Sequence, residues 1–268
     1  MIAYDVDEAK RAAVAQLGAQ AAKSVVETAR ACGIIVLAVF STDQVEEVVE
    51  GKGGIAEAPG GGAIPRTVIC MSTCDPDRLA ALAGRVESRG VSLLEVPVSG
   101  TSRQVAEGQG VGLVGGERAV MERAAPVLDA ICARRFYIGS MGNASRAKLA
   151  VNLILGLNRA AMAEGLVFAA RLGLDPVAFL EVARGSAAYS QVMDVKGSMM
   201  ARREYRIPQS RVDQSLKDFK LMLAQAQATG QPLPFAQLYA ELLEDCVRRG
   251  EGEWDNAAIL EAIRRRGT

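Results

Sequence analysis

Along the first half of the chain, short β-branched runs alternate with Ala-rich amphipathic stretches, so the hydrophobic period switches repeatedly between 2 and 3.6 residues. That pattern predicts strands over 1–4, 34–40, 67–71, 92–96 and 112–114, and helices over 6–17, 43–50, 75–89 and 118–131. Strands joined by helices imply a doubly wound, Rossmann-type parallel sheet, because right-handed crossovers leave few other packings. The glycine-rich stretch 51–62 reads as a surface loop. After Gly142 the strand period stops. Residues 144–172 form one long helical pattern, which Gly173 ends at a C′ position, and Asp175-Pro176 supplies the N-cap and N1 of the next helix. Further helices are expected over 176–184, 191–201, 213–228, 234–249 and 256–265. The chain is therefore read as an α/β domain over 1–141 and an all-helical domain over 142–268. Its length of 268 residues is near that at which single cores split.

Composition narrows the function classes. With 50% apolar and 23% charged residues the chain can bury a substantial core, which excludes disorder. Its 31 basic and 31 acidic side chains cancel, and no basic stripe interleaved with aromatics appears, so nucleic acid is not an expected partner. The longest apolar run, 149–157, is interrupted by Asn152, so no membrane span is expected. Five scattered cysteines without a C-x-x-C pair, and no signal peptide ahead of them, point to a soluble protein of the reducing cytoplasm. Cys70 and Cys74 lie four apart, but without histidine they read as small buried residues rather than metal ligands. The absence of histidine also removes Ser-His-Asp and Cys-His chemistry, leaving acid/base work to Lys, Asp, Glu, Tyr or Cys.

Two segments carry chemistry. In Gly139-Ser140-Met141-Gly142-Asn143-Ala144-Ser145-Arg146-Ala147-Lys148-Leu149-Ala150-Val151-Asn152, glycines bend the chain into a helix that puts Lys148 and Asn152 on one face. A lysine on an apolar helix loses basicity when buried, which suits it to exchange a proton with a substrate oxygen. The same residues also read as a snorkelling surface lysine beside a helix-interior asparagine. The second segment, Glu95-Val96-Pro97-Val98-Ser99-Gly100-Thr101, follows a predicted strand, where open α/β sheets place their ligand crevice. Ser99 and the backbone N–H groups after it could hold a carboxylate, with Gly100 allowing close approach. An ordinary Pro/Ser/Gly turn has the same composition. Asp5 ends the first strand, where a carboxylate can accept from an adenosine ribose and repel a 2′-phosphate, favouring NAD over NADP. Asp5 or Asp7 also reads as a helix cap.

Together these segments resemble the β-hydroxyacid dehydrogenases, the group of 3-hydroxyisobutyrate dehydrogenase, tartronate semialdehyde reductase and glyoxylate/succinic semialdehyde reductase, through nearly the whole chain. The family's D-x-P-V-S-G-G appears as Glu95 to Thr101, its G-x-x-G-x-x-x-x-x-K-x-x-x-N as Gly139 to Asn152, and its K-D as Lys217-Asp218. The resemblance implies Lys148 as general acid/base, Asn152 as the group orienting the substrate, and Ser99, Gly100 and Thr101 around its carboxylate. It puts Lys217 at the nicotinamide end of the substrate pocket, and Asp5, Val39, Phe40 and Thr73 against the cofactor, NAD with NADP left open. The implied reaction is hydride transfer between NAD(P) and a small 3-hydroxy or 2-hydroxy acid or its semialdehyde. Also implied are a helical domain of the 6-phosphogluconate dehydrogenase type and a homodimer or homotetramer. An imine or ketone reductase on the same scaffold and a non-catalytic remnant are the other readings.

Four departures accompany the likeness, one of them the conservative Glu95 where the family has Asp. The family's G-x-G-x-x-G, on a first strand some 20 residues ahead of the ribose-binding acid, has no counterpart before Asp5, so the sheet is expected to lack that central strand and show two unpaired edges. Thr101 replaces the family's second glycine and is expected to reshape the carboxylate pocket, and Phe40 stands where proline is usual.

Overall fold

The strand Arg66–Cys70 is buried along its whole length, the mark of a sheet covered on both faces. The computed structural model describes residues 1–58 and 65–267, and these divide into two compact units. The first, residues 1–100 with 104–148, begins β1 (Ile2–Ala3), α1 (Glu8–Gln16), β2 (Gln20–Ala21), α2 (Val25–Ala31), β3 (Ile34–Leu37) and α3 (Thr42–Glu50). It continues through β4 (Arg66–Cys70), α4 (Pro76–Glu87), β5 (Val91–Glu95), β6 (Val98–Ser99), α5 (Ser102–Ala106), β7 (Val111–Gly115), α6 (Arg118–Cys132) and β8 (Arg134–Gly139). The opening turns of α7 (Asn143–Arg171) complete it.

Strands β3, β4 and β5 are adjacent and parallel. Because successive side chains point to opposite faces, Val68, Cys70 and Leu93 join Val45, Val49, Leu79 and Leu82 of α3 and α4 in one core. Ile69, Leu94 and Val114 join Val120, Ala124 and Leu128 of α6 in the other. The Rossmann-type sheet is mixed rather than wholly parallel. Strand β7 meets β5 antiparallel through Glu95 and Gly115, β8 runs parallel to β7, and β6 pairs with β7 antiparallel. Its interruption follows expectation: among the described residues β1 and β2 pair only with each other, and β3 pairs only with β4. Helix α1 buries none of its residues.

The hydrophobic pattern misses five elements of this unit with identifiable causes, among them α5, whose five residues make little more than one helical turn. β2 and β6 span two residues each, too few to display a period. β8 opens on Arg134-Arg135, whose charge hides it, and α2 is only seven residues long. Of the expected loop over 51–62, Gly51 closes α3 and a 3₁₀ turn occupies Ile55–Glu57, while residues 59–62 lie outside the described residues.

The second unit, residues 101–103 with 149–268, is helical. It takes the remainder of α7 and adds α8 (Pro176–Arg184), α9 (Gln191–Arg202), α10 (Val212–Thr229), α11 (Pro234–Arg248), a 3₁₀ turn (Asn256–Ala258) and α12 (Ile259–Arg265). Gly173 adopts φ +84°, and Leu174 N–H donates to the Ala169 carbonyl, the left-handed closure that glycine permits. Asp175 then caps α8 by accepting from Ala178 N–H at 2.8 Å. Leu166, Leu180, Met200, Leu243 and Ile259 form the centre of the core, with the Phe219 and Tyr239 rings tilted at a centroid distance of 4.6 Å.

Contrary to the expectation that no stretch would qualify, α7 is long and apolar enough by length and composition to cross a membrane. A third of its apolar window is buried, along one face. Leu149, Met162, Ala163 and Leu166 lie in the helical core, and buried Arg159 donates to the Tyr239 hydroxyl at 3.0 Å.

One buried ion pair joins three segments of this unit. Asp255 accepts from Lys196 Nζ at 2.6 Å, from Gln209 N–H at 2.8 Å and from Ala257 N–H at 2.9 Å. Burial pushes the Lys196 amine below its ordinary value, against the pull of Asp255. Removing one partner strands the other charge in the core, so Asp255→Ala is expected to cost about 3–5 kcal/mol. Denaturant unfolding of the full chain measures this, and a loss below about 1 kcal/mol would show that the pair does not hold these segments.

Candidate functional site

Strand β5 ends at Glu95, and the chain turns through Val96-Pro97 into β6, which carries Ser99. The opening of α7 packs beside this turn, and its lysine is not a surface residue: Lys148 is 7% exposed. Its Nζ donates to the Val98 carbonyl at 2.7 Å. The amine is thus fixed at the backbone unit directly before Ser99. An ammonium has three N–H bonds, and the anchor to Val98 takes one of them. Gly100 follows with φ +140°, a conformation open to glycine. The snorkelling alternative for Lys148 is thereby removed.

Glu95 is completely buried, and both its carboxylate oxygens accept hydrogen bonds. Its Oε1 accepts from Ala144 N–H at 2.9 Å, and its Oε2 accepts from Ser145 N–H at 3.0 Å and Ser145 Oγ–H at 2.5 Å. The acid of the Glu95-to-Thr101 segment therefore caps α7, satisfying amides that a helix start leaves without partners. Sequence reading missed Ser145 altogether.

The parallel strands β3 and β4 end in turns stitched together by one hydroxyl. Ser72 Oγ donates to the Val39 carbonyl at 2.7 Å and accepts the Val39 N–H at 2.9 Å. Gln44 accepts the Phe40 N–H at 2.8 Å, and Thr42 accepts the Asp75 N–H at 2.9 Å. Val39, Phe40 and Thr73 are thus held on neighbouring turns at the carboxyl ends of parallel strands, the ligand-binding edge of an open α/β sheet. Asp5 lies apart, at the end of β1, where its Oδ1 accepts the Asp7 N–H at 2.9 Å. Asp7, rather than Asp5, caps α1 through Ala9 N–H at 2.9 Å.

In the helical unit, Asn152 Nδ2 donates to Asp218 Oδ2 at 3.0 Å, and Lys217 Nζ lies 3.0 Å from Asp218 Oδ1 in an ion pair without hydrogen-bond geometry. A carboxylate accepts only, so the amide nitrogen of Asn152 must face it, and Asp218 thereby sets which way Asn152 presents its oxygen. The acid of the Lys217-Asp218 dipeptide, unassigned from sequence, positions both expected site residues. Thr101 belongs to the short 101–103 segment of this unit and is partly buried.

Cys70 and Cys74 face each other with sulfurs 3.9 Å apart. The neighbouring Cys74 sulfur and burial together hold the Cys70 thiol well above its ordinary value, which keeps it a core group.

The turns after β3 and β4 lie at the ligand-binding edge of the sheet, with amides and carbonyls held in place by Ser72 and Gln44, whereas no G-x-G-x-x-G turn stands ahead of Asp5. The one G-x-G-x-x-G spacing in the chain, Gly110-Val111-Gly112-Leu113-Val114-Gly115, lies on β7 instead of opening a helix.

Comparison with known proteins supplies the wider frame. Residues 1–139 match the family model for the NAD binding domain of 6-phosphogluconate dehydrogenase, and residues 142–263 match the NAD-binding domain of NADP-dependent 3-hydroxyisobutyrate dehydrogenase. The chain is 32% identical over 247 residues to 2-hydroxy-3-oxopropionate reductase of Escherichia coli, covering 92% of this chain and 83% of that protein. It is 29% identical to 2-(hydroxymethyl)glutarate dehydrogenase of Eubacterium barkeri, covering 97% and 85% respectively. The crystal structure of 3-hydroxyisobutyrate dehydrogenase from Salmonella typhimurium aligns with a TM-score of 0.88 at 27% identity, over 97% of this chain and 90% of that one.

Proposed function

The chain belongs to the β-hydroxyacid dehydrogenase superfamily, and from that premise we propose that it interconverts a small 3-hydroxy or 2-hydroxy acid and its carbonyl form, with Lys148 exchanging the hydroxyl proton. It is an NAD(P)-dependent oxidoreductase acting on CH–OH groups. The observation carrying the finer reading is the buried Lys148 amine held 2.7 Å from the Val98 carbonyl, beside Ser99.

In the oxidising direction the substrate's O–H bond breaks and its proton passes to the lone pair of the neutral Lys148 amine, which becomes an ammonium, while the carbinol C–H bond yields a hydride. The nicotinamide, when bound, accepts that hydride and returns it in reduction. Lys148 then gives its proton back to the carbonyl oxygen. In the first unit Ser99 and Gly100 are assigned to the substrate carboxylate; in the helical unit Thr101, Asn152 and Lys217 are assigned to the substrate, with Asp218 orienting Asn152. Retention of a lysine with this anchoring favours an alcohol-linked proton step over imine chemistry. On the cofactor side, Val39, Phe40 and Thr73 line the nicotinamide half. Asp5 faces the adenosine ribose, where its charge favours NAD over NADP.

We assign a second copy of this chain to the apolar side chains that the helical unit leaves outside. Ile154, Phe168, Val182 and Phe235 are 63%, 64%, 66% and 72% exposed, and an assembly interface would take such side chains out of water.

Each element has a separate measurement. In NAD(P) reduction assays across a panel of small hydroxy acids, Lys148→Ala is expected to lower kcat by about 10²–10⁴-fold, and near-normal turnover would end the mechanism. Asp5→Ala is expected to shift the ratio of kcat/KM for NAD over NADP by roughly tenfold, about 1.4 kcal/mol, towards NADP. An unchanged ratio would remove Asp5 from the ribose site. Light scattering is expected to return at least twice the 28.3 kDa chain mass, and a monomer at all concentrations would refute the assembly.

A further inference from the structure

We infer that Glu95 is the positioning residue for the Lys148 amine: it fixes the helix that carries the lysine to the strand that leads to the serine turn. The inference rests on Lys148 being the group that exchanges the substrate proton.

Helices ordinarily start on a local Ser, Thr, Asp or Asn, whose short side chain reaches amides two or three residues ahead. Helix α7 instead takes its cap from another element, 49 and 50 residues away in sequence. Both carboxylate oxygens of Glu95 are engaged by Ala144 and Ser145 through two amides and one hydroxyl. Ala144 and Ser145 stand four and three residues before Lys148, on the same helix face. A displacement of the Glu95 end of β5 is therefore passed to the lysine with no loop in between.

The other end of this frame is the lysine itself. Val98, three residues beyond Glu95, accepts the Nζ at 2.7 Å. The segment from Glu95 to Val98 is thus tied to α7 at both ends, once through the carboxylate and once through the amine. A free lysine has four rotatable bonds and would scatter its nitrogen. This two-point attachment holds the nitrogen at the turn that carries Ser99.

The neighbouring strand is shaped around the same carboxylate. Gly115 pairs with Glu95 across β5 and β7, and a Cβ at Gly115 would stand 2.3 Å from Glu95 Oε1. Any larger residue there must push the carboxylate off the helix start. Glu95 itself is completely buried and both its oxygens are in use, so its part in the chemistry is indirect.

The test separates positioning from general stabilisation and from the role of Lys148. Glu95→Gln keeps the size of the side chain but turns one acceptor into an N–H donor facing a helix amide. In the folded full-length variant, kcat is expected to fall by about 10–100-fold, as for a misplaced catalytic group, while KM for hydroxy acid and NAD changes by less than about threefold. Trace acetylation read by mass spectrometry, with exposed Lys220 as internal reference, is expected to label Lys148 several-fold faster than in the parent. Wild-type kcat with unchanged Lys148 labelling would overturn the inference. So would a rise in KM with kcat retained, or a kcat loss without a change in labelling. Should Glu95→Gln fail to fold, Ser145→Ala, which removes only the 2.5 Å hydroxyl contact, is read by the same two measurements. Full turnover by Lys148→Ala would remove the catalytic reading alone, and the labelling rate would still decide whether Glu95 holds the amine.

Discussion

A buried carboxylate at the end of one strand, satisfied by the first amides of a helix that starts far along the chain, is the contact on which the arrangement around Lys148 depends. Its strength comes from matching two groups that would each be costly to bury alone: a carboxylate without donors and helix amides without acceptors. The match also explains a glycine that the hydrophobic pattern leaves unaccounted for, because Gly115 must be bare for the carboxylate to fit. Strand end, helix start and neighbouring strand are thereby one unit, to which the lysine amine is tied through the Val98 carbonyl.

The sheet supplies the rigid half of that unit. β4 and β5 are covered on both faces, so their carboxyl ends are fixed by two separate cores. The turns that follow β3 and β4 inherit this rigidity and are tied to each other through the Ser72 hydroxyl. The helical unit repeats the device with different groups: Asp218 orients Asn152 and pairs with Lys217, as Glu95 orients the start of α7. In both units an acid without an assigned role of its own governs residues that have one.

Legibility in the sequence followed the range of the interactions involved. Helix α8 was predictable to the residue because its boundaries are written in adjacent positions, Gly173 before it and Asp175-Pro176 at its start. Strands β4 and β5 declared themselves by short runs rich in β-branched and apolar residues, and the gap in the sheet followed from the missing glycine fingerprint. The reversal of β7 was hidden, since strand direction is set by packing and leaves no mark on periodicity. At the site, Lys148 and Ser99 came into view through motif resemblance. The capping bonds of Glu95, the stitching by Ser72 and the orienting bond of Asp218 span 33 to 66 residues, a range at which neither spacing nor composition carries a signal.

The separation of β1 and β2 from the larger sheet bears on how a nucleotide is gripped. Asp5 sits at the end of a two-residue strand whose single partner is another two-residue strand, followed by a helix with no buried side chain. Few apolar contacts restrain this corner, so its local opening free energy lies at the low end of the molecule's range. Under the role proposed for Asp5, a ribose engaging it would have to hold this corner in place as it binds, and the affinity would fall below the contact strength by the entropy of that ordering. Discrimination between the two dinucleotides would then depend on how well this small subassembly is held, as much as on the charge it carries.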